Sequence, residues 1–360
     1  MSRATTATIH LDALRHNLAR VRERAPGRRV MAVVKADGYG HGLERVARAL
    51  ADADAFGVAA LADAERLRAA GLDNRIVLLS GFDEAADLDV LRRLGVDTSI
   101  HHPSQIAMLE ADARQGGGPL RCWLKLDTGM HRLGIPADEA KTVHARLAAL
   151  ANVHAELGLM SHFASSDELR STQTLRQLEA FRAATDGLPG PRSLCNSAAV
   201  LAWPQAHADW IRPGGALYGV SVIAGTTGAD HGLRPAMTLS TRLIAVNRVR
   251  RGERIGYAAS WECPEDMPVG VAAIGYGDGY PRHAPAGTPM LVDGVRVPVI
   301  GRVSMDLMTL DLRGVPDARV GAPVVAWGEG LPVEEVAAQA GTIGYELVCS
   351  ITRRVRFVEA

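Results

Sequence analysis

Cysteine is scarce in this 360-residue chain. The four present, Cys122, Cys195, Cys263 and Cys349, include no Cys-x-x-Cys pair. That spacing fits neither a zinc site nor a compact disulfide framework, and it points to reduced thiols in a cytoplasmic protein. An excess of either charge is also missing. Lys plus Arg and Asp plus Glu stand at 40 each, for a formal net charge of zero. A neutral chain lacks the electrostatic footprint of a nucleic-acid binder and the polybasic patch of a membrane-surface protein. No apolar run reaches the length of a membrane span, and the N-terminal "MSRATTATIHLDAL" has neither an apolar core nor a small-residue cleavage site. We expect a cytoplasmic protein that binds no nucleic acid and no membrane. Low-complexity stretches and long linkers are absent too, so two tightly packed domains are expected rather than domains on a tether.

The chain does have a substantial apolar content, 47% of its residues. In the first two thirds, short apolar runs alternate with amphipathic segments. The runs are "VMAVVKA", "DAFGVAA", "RIVLLSG", "VDTSIH", "RCWLKLD", "HAELGLMSH", "PRSLCNS" and "DWIRPGG". Between them, "LERVARAL" places Leu43, Val46, Ala47 and Leu50 at the i, i+3, i+4, i+7 spacing of a helix face. "LADAERLRAA", "PSQIAMLEADA", "DEAKTVHARLAAL" and "TLRQLEAFRAA" also read as helices. Buried strands alternating with helices predict a parallel sheet, and eight such units in roughly 220 residues predict a closed (β/α)8 barrel of the TIM type. An open doubly wound sheet competes, but the first strand is not followed by its Gly-x-Gly-x-x-Gly fingerprint. From Arg234 the pattern turns β-rich, with one helix expected at "PVEEVAAQA". The expected division is a barrel over residues 1–233 and a mostly-β domain over residues 234–360, with about the first ten residues pairing with the β-domain.

Working residues of such barrels sit at the C-terminal ends of strands. Lys35 ends the first strand in "AVVKADGYGHG". A lysine flanked by Val33, Val34 and Ala36 is partly desolvated, which favours the neutral amine that Schiff-base chemistry needs. Position alone reads equally as a strand-end lysine with its head in water. The surroundings change the balance. Glycines after Lys35 let backbone approach a ligand closely. Later strand ends carry Lys125, Asp127 and Arg132 in "KLDTGMHRLG", Ser161, His162 and Asp167 in "SHFASSD", Asn196 and Ser197 in "CNSA", and Arg212, Gly214, Gly215 and Tyr218 in "IRPGGALYG". Ser197 with Gly214 and Gly215 suits a phosphate, although "CNSA" also reads as a helix N-cap. A reactive lysine and a phosphate cradle on one rim point to pyridoxal phosphate. Asp127 reads as a structural hydrogen-bonding residue, and Trp261 and Trp327 as packing.

"AVVKADGYGHG" resembles the cofactor-lysine motif of the alanine racemases, the barrel-type pyridoxal-phosphate enzymes. "LKLDTGMHRLG", "SHFASSD", "NSA", "IRPGGALYG", "RIGYAASW", "IGYGDGY", "GRVSMD" and "GTIGYEL" match further family motifs in the same order, across both expected domains. The resemblance implies racemisation of L- and D-alanine by a homodimer with composite sites. Lys35 would bind the cofactor covalently and act as a base. Tyr39, Ser197, Gly214, Gly215 and Tyr345 would hold its phosphate, and Asn196 would also belong to the cofactor site. Arg212, supported by His162, would face the ring nitrogen. Arg132 and Met305 would contact the substrate. Lys125 matches the lysine that carries a carbamate in many members. Tyr257 would be the second base, reaching in with Met305 from the partner subunit. A free tyrosine has a pKa of about 10, so cations such as a His162–Arg212 pair would have to favour its phenolate. Asp167, Tyr276 and Arg302 would line the access corridor.

The chain departs from the family pattern at Ser304, at Ala258 after Tyr257, and at Gly344 before Tyr345, where cysteine, glycine and asparagine are common. Two rival readings share the lysine. Barrel-type amino-acid decarboxylases place a carboxylate at the ring nitrogen, where this chain offers Arg212. Single-barrel pyridoxal-phosphate homeostasis proteins lack the β-domain and the Tyr257 motif.

Overall fold

A computed structural model describes residues 4–115 and 118–360. Residues 1–3, which belong to the expected barrel segment and to the N-terminal reading, lie outside the described residues. The chain divides into two compact units. One comprises Asn17–Leu217 and Val222–Gly225; the other takes the N-terminal residues through His16, Tyr218–Ser221 and Thr226–Ala360. The N-terminal strand β1 (Thr6–Ile9) belongs to the latter.

The first unit is the expected barrel. Its strands are β2 (Arg29–Val33), β3 (Ala55–Val58), β4 (Arg75–Leu78), β5 (Val96–Ile100), β6 (Cys122–Asp127), with β7 (Ile135–Pro136) as a short addition to β6, then β8 (Gly158–Met160), β9 (Arg192–Ser193) and β10 (Trp210–Ile211). Eight of them run parallel in the order β5-β4-β3-β2-β10-β9-β8-β6, and β5 pairs with β6 to close the ring. Each amphipathic segment named above forms its helix, among them Leu43–Ala49, Pro103–Arg114 and Gln173–Ala184. These strands are short and apolar because both faces are covered, one by helices and the other by the barrel interior.

The interior is filled by side chains, with Met31, Ala55, Val77, Trp123, Met160 and Trp210 forming one buried cluster. Trp123 and Trp210 meet edge to face, 6.0 Å between centroids. At the N-terminal end of the barrel, the guanidinium of Arg75 lies 5.8 Å and 5.3 Å from these two rings. Its Nη2 is 2.6 Å from buried Asp97, which also accepts from the Trp123 indole at 3.3 Å. Two indole rings and a paired carboxylate thus satisfy a charged group at the barrel floor.

The second unit is mostly antiparallel. The long strand β11 (Met237–Val249) is followed by a small hairpin, β12 (Arg254–Ile255) and β13 (Trp261–Glu262), then by β14 (Met267–Ala272), β15 (Pro289–Val292), β16 (Val295–Ile300), β17 (Met308–Asp311), β18 (Pro323–Trp327) and β19 (Arg356–Glu359). The first half of β11 pairs with β18 and its second half with β14, so the run β14-β17-β16-β15-β18-β11 closes on itself. Strand β1 lies antiparallel to β11 and parallel to β19. Trp327 is buried and stacks on Tyr280, and Trp261 packs on an apolar cluster around Cys263 and Val269; both act as packing residues.

One element departs from the expectation. Besides Val333–Gln339, a second helix forms at Gly344–Cys349. Six residues are too few to display a helical period, and a leading glycine argues locally against a helix. The glycine is sterically required, since a Cβ on Gly344 would stand 2.8 Å from Val220 and 3.1 Å from Val333.

The barrel floor yields a stability prediction. Replacing Asp97 with Ala removes the buried partner of Arg75 and leaves only part-exposed Glu156, 3.6 Å from the guanidinium, so the protein should lose about 1–3 kcal/mol. Chemical denaturation should show this as a lower midpoint; an unchanged midpoint would refute the pairing.

Candidate active site

Barrel closure places the first strand beside the last. Strand β2 pairs with β10 at Arg29–Trp210 and Val30–Ile211, and the Val33 amide donates to the Pro213 carbonyl at 2.9 Å. Lys35, just beyond β2, therefore shares one edge of the mouth with Arg212–Gly215, just beyond β10.

The chain after Lys35 takes an unusual path. Ala36, Asp37, Gly38, Tyr39 and Gly40 all have φ between 51° and 76°. Left-handed geometry costs an L residue roughly 1–2 kcal/mol, and three of these five are not glycine. The expected glycine-permitted turn is thus a left-handed helical turn imposed on Ala36, Asp37 and Tyr39 as well. Several bonds hold it. Gly38 N–H donates to Val34, Gly40 N–H to Ala36 and Gly42 N–H to Asp37, at 2.8–3.0 Å. The Asp37 carboxylate accepts from Leu43 N–H at 3.1 Å and from Arg66 at 2.7 Å. Buried His41 bonds through Nδ1 to the Tyr39 carbonyl at 2.8 Å, and burial lowers its pKa to about 4. The turn sends Tyr39 back across the mouth, where a Cβ on Gly214 would collide with the tyrosine hydroxyl.

Next to Gly214, the Ser197 hydroxyl accepts from the Gly214 and Ala216 amides at 2.8 and 3.1 Å. Tyr39 Oη, Ser197 Oγ and these N–H groups form one polar cradle. The Asn196 oxygen accepts from Ala199 N–H at 3.0 Å and from the Ser166 hydroxyl at 2.8 Å. The N-cap reading of "CNSA" therefore holds for Asn196, while Ser197 faces the cradle.

Arg212 is buried. Its guanidinium donates to Ser193 Oγ and the Ser161 carbonyl at 2.5 Å and to the Leu194 carbonyl at 3.2 Å, and lies 3.4 Å from His162 Nδ1. These partners are neutral. Desolvation lowers its pKa to about 10, so it remains cationic at neutral pH. Desolvation first, then the charges of Arg212, Arg132, Lys125 and Lys35, hold His162 well below the usual histidine range. This corrects the expectation of a cationic His162–Arg212 pair: the imidazole is neutral. Desolvation, followed by Arg212, Arg132 and Lys35, lowers Lys125 to about 8. Four basic groups thus surround one mouth, and every charge acting on Lys125 is positive. Such a site favours an anion.

Asp127 takes no part in that field. Its carboxylate accepts from the amides of Gly129, Met130 and His131 at 2.9–3.1 Å and from the His131 ring at 3.0 Å, fixing the loop that carries exposed Arg132. Asp167 lies on the loop after β8, its carbonyl accepting from Ala224 N–H at 3.3 Å.

The remaining expected site residues belong to the second unit and cluster there. Tyr276 N–H donates to the Ser304 carbonyl at 3.0 Å, and Gly277 N–H to the Met305 carbonyl at 2.9 Å. Gly256, which precedes Tyr257, approaches the Arg302 amide. Tyr257 is 67% exposed and Met305 51%, with Leu307 and Tyr276 beside them also exposed. Ala258 after Tyr257 has φ 61°, a left-handed position that explains why glycine is common there. Tyr345 stands half-buried in the first turn of Gly344–Cys349.

Residue-by-residue reading missed one signal. The chain has only three lysines, Lys35, Lys125 and Lys141, and two of them stand at this mouth. In a chain that otherwise uses arginine for positive charge, that placement marks sites where an amine is needed.

Known proteins resemble the chain over nearly its whole length. The family models described as "Alanine racemase, N-terminal domain" and "Alanine racemase, C-terminal domain" match residues 9–222 and 236–359. The alanine racemase of Shewanella amazonensis is 53% identical over 357 residues, covering 97% of each chain. That of Nitrosococcus oceani is 53% identical over 352 residues, again covering 97% of each. Among solved structures, the biosynthetic alanine racemase from Pseudomonas aeruginosa superposes with a TM-score of 0.96 at 46% identity and covers 99% of both chains. The alanine racemase from Acinetobacter baumannii gives 0.93 at 35% identity, covering 99% of this chain and 100% of that one.

The lowered pKa of Lys125 has a chemical consequence. Below pH 8 its amine is protonated and unreactive; above pH 8 it is neutral and nucleophilic. Cyanate modification of Lys125, followed by peptide mass spectrometry, should reach half its plateau rate near pH 8. A free lysine would require pH about 10.4. A rate still climbing steeply between pH 9 and 10 would contradict the assignment.

Proposed function

The chain belongs to the alanine racemase family, and from that membership we propose that it interconverts L- and D-alanine by a two-base mechanism. Family members depend on pyridoxal phosphate, and the residues at the mouth fit that group. The observation that carries the reading is the convergence of Lys35, the Tyr39–Ser197–Gly214 cradle and buried Arg212 on one rim. Four surrounding basic groups match a cofactor phosphate and a substrate carboxylate.

Bound pyridoxal phosphate supplies the conjugated ring that delocalises the charge left on the α-carbon after proton removal. Lys35 would tether the cofactor, and its amine would move the proton on one face. Tyr39, Ser197, Gly214, Gly215 and Tyr345 would hold the phosphate, and Asn196, capping the helix that begins at Ser197, would contribute to the cofactor site by orienting that helix. Arg212 would face the ring nitrogen and offers donors only, which would disfavour protonation there and limit side reactions. Neutral His162 lies against the Arg212 guanidinium and does not compete for the anion. Arg132 and Met305 bind the substrate, Asp167, Tyr276 and Arg302 line the access corridor, and Lys125 takes up carbon dioxide as a carbamate. A carbamate would place a negative charge among three cations, which the local field favours.

Tyr257 serves the opposite face from a partner subunit. Support comes from the exposed cluster of Tyr257, Tyr276, Met305 and Leu307, since aromatic residues and methionine are enriched in the cores of interfaces. The enzyme is then a cytoplasmic homodimer with composite sites. Similarity to the biosynthetic racemase of Pseudomonas aeruginosa supports supply of D-alanine for peptidoglycan over alanine catabolism. No described helix is long and apolar enough to cross a membrane.

The purified protein should be yellow, convert L-alanine to D-alanine and release no carbon dioxide. A colourless protein that forms no D-alanine would refute the reading, and carbon dioxide release would favour a decarboxylase. Tyr257→Phe should lower kcat about 10²–10⁴-fold, as loss of a general acid–base group does, with the larger effect from the L-alanine side. Equal loss of α-proton exchange from both enantiomers would count against two bases.

A further inference from the structure

Behind the mouth lies a buried amide that the proposed chemistry does not use. Gln177, on the helix Gln173–Ala184, is fully buried. Its oxygen accepts from Ala164 N–H at 2.8 Å, and its Nε2 donates to the His162 carbonyl at 3.0 Å. The same Nε2 lies 3.4 Å from the Thr128 hydroxyl, which is 2.7 Å from Ser161 Oγ. The Ser161 carbonyl in turn accepts from Arg212.

We propose that Gln177 is a positioning residue for the racemase site: one buried amide fixes the loop bearing His162 relative to the loop bearing Arg132. The proposal rests on the functional reading above. Glutamine suits the task because its amide offers an acceptor and two donors on one rigid plane, so it can satisfy an N–H and a carbonyl on one loop while touching a hydroxyl on the other. Burial makes the arrangement stringent. An apolar side chain would leave the part-buried Ala164 N–H and His162 carbonyl without their partner, and the loop would shift to recover hydrogen bonds. That shift would reach the cofactor through Ser161 and Arg212, and the substrate through Thr128 and the short loop to Arg132. Gln173 braces the same loop from one turn away, donating to the Gly129 carbonyl at 3.0 Å.

The test uses holoenzyme. Gln177→Leu removes all the amide's bonds, and Thr128→Val removes only the link between loops at nearly constant volume. Both should shift the absorbance maximum of bound pyridoxal phosphate and raise KM for L-alanine, the leucine variant by about tenfold, the scale of a lost buried hydrogen bond. Gln177→Glu keeps the acceptor for Ala164 and should fall between wild type and leucine. A purely structural role predicts a lower Tm in Gln177→Leu with unchanged absorbance and KM, and that result overturns the proposal. Full activity and an unshifted spectrum in Thr128→Val overturn the coupling between loops even if Gln177→Leu fails to fold. A wild-type protein that binds no pyridoxal phosphate overturns the functional reading as well. One that binds it normally, with variants indistinguishable from it, overturns only the role of Gln177.

Discussion

The backbone pairing of β2 with β10 is the constraint on which the site depends. Strands 181 positions apart in the chain, as at Arg29–Trp210, become neighbours when the ring closes, and the Val33–Pro213 hydrogen bond holds their C-terminal ends level. Only then do Lys35 and Tyr39 face Gly214, and only then can Arg212 reach across to Ser161 and Ser193. An open sheet with the same strands would leave these two groups at opposite edges. The interior indoles and the Arg75–Asp97 pair belong to the same constraint, because a ring closes stably only around a filled core.

Two costs are concentrated at the mouth. One is the left-handed turn at Ala36–Gly40, held by its own hydrogen bonds and by Asp37 and His41. The other is the gathering of Lys35, Lys125, Arg132 and Arg212 without an opposing carboxylate among the charges acting on Lys125 and His162. Strain and like-charge repulsion of this kind persist only where surrounding structure enforces them, and they collect at functional sites. Desolvation, reinforced by this repulsion, lowers two pKa values in useful directions. It brings Lys125 down to about 8 and keeps His162 from adding a further charge.

The barrel strands, the helices between them and the strand-end positions of Lys35, Lys125, His162, Ser197 and Arg212 were legible in the sequence. Apolar period and strand length are local properties, written within five to fifteen residues. The helix at Gly344–Cys349 was not legible, because six residues carry no period. Tyr257, Met305, Tyr276 and Arg302 were legible only through ordered family motifs, since nothing in their local spacing announces chemistry.

The sequence by itself determined the alternation of elements, the change to β-structure near Arg234 and the family to which the motifs belong. Tertiary structure alone decided that Ala36 and Tyr39 are left-handed, that His162 is neutral and that Ser197 faces the cradle. It also decided that Gln177 joins two rim loops. The physical reason is range. Periodicity acts between residues a few positions apart, whereas desolvation, charge repulsion and buried hydrogen bonding depend on groups brought together from 13 to 200 positions away, as between Gln177 and Ala164 or Asn17 and Leu217.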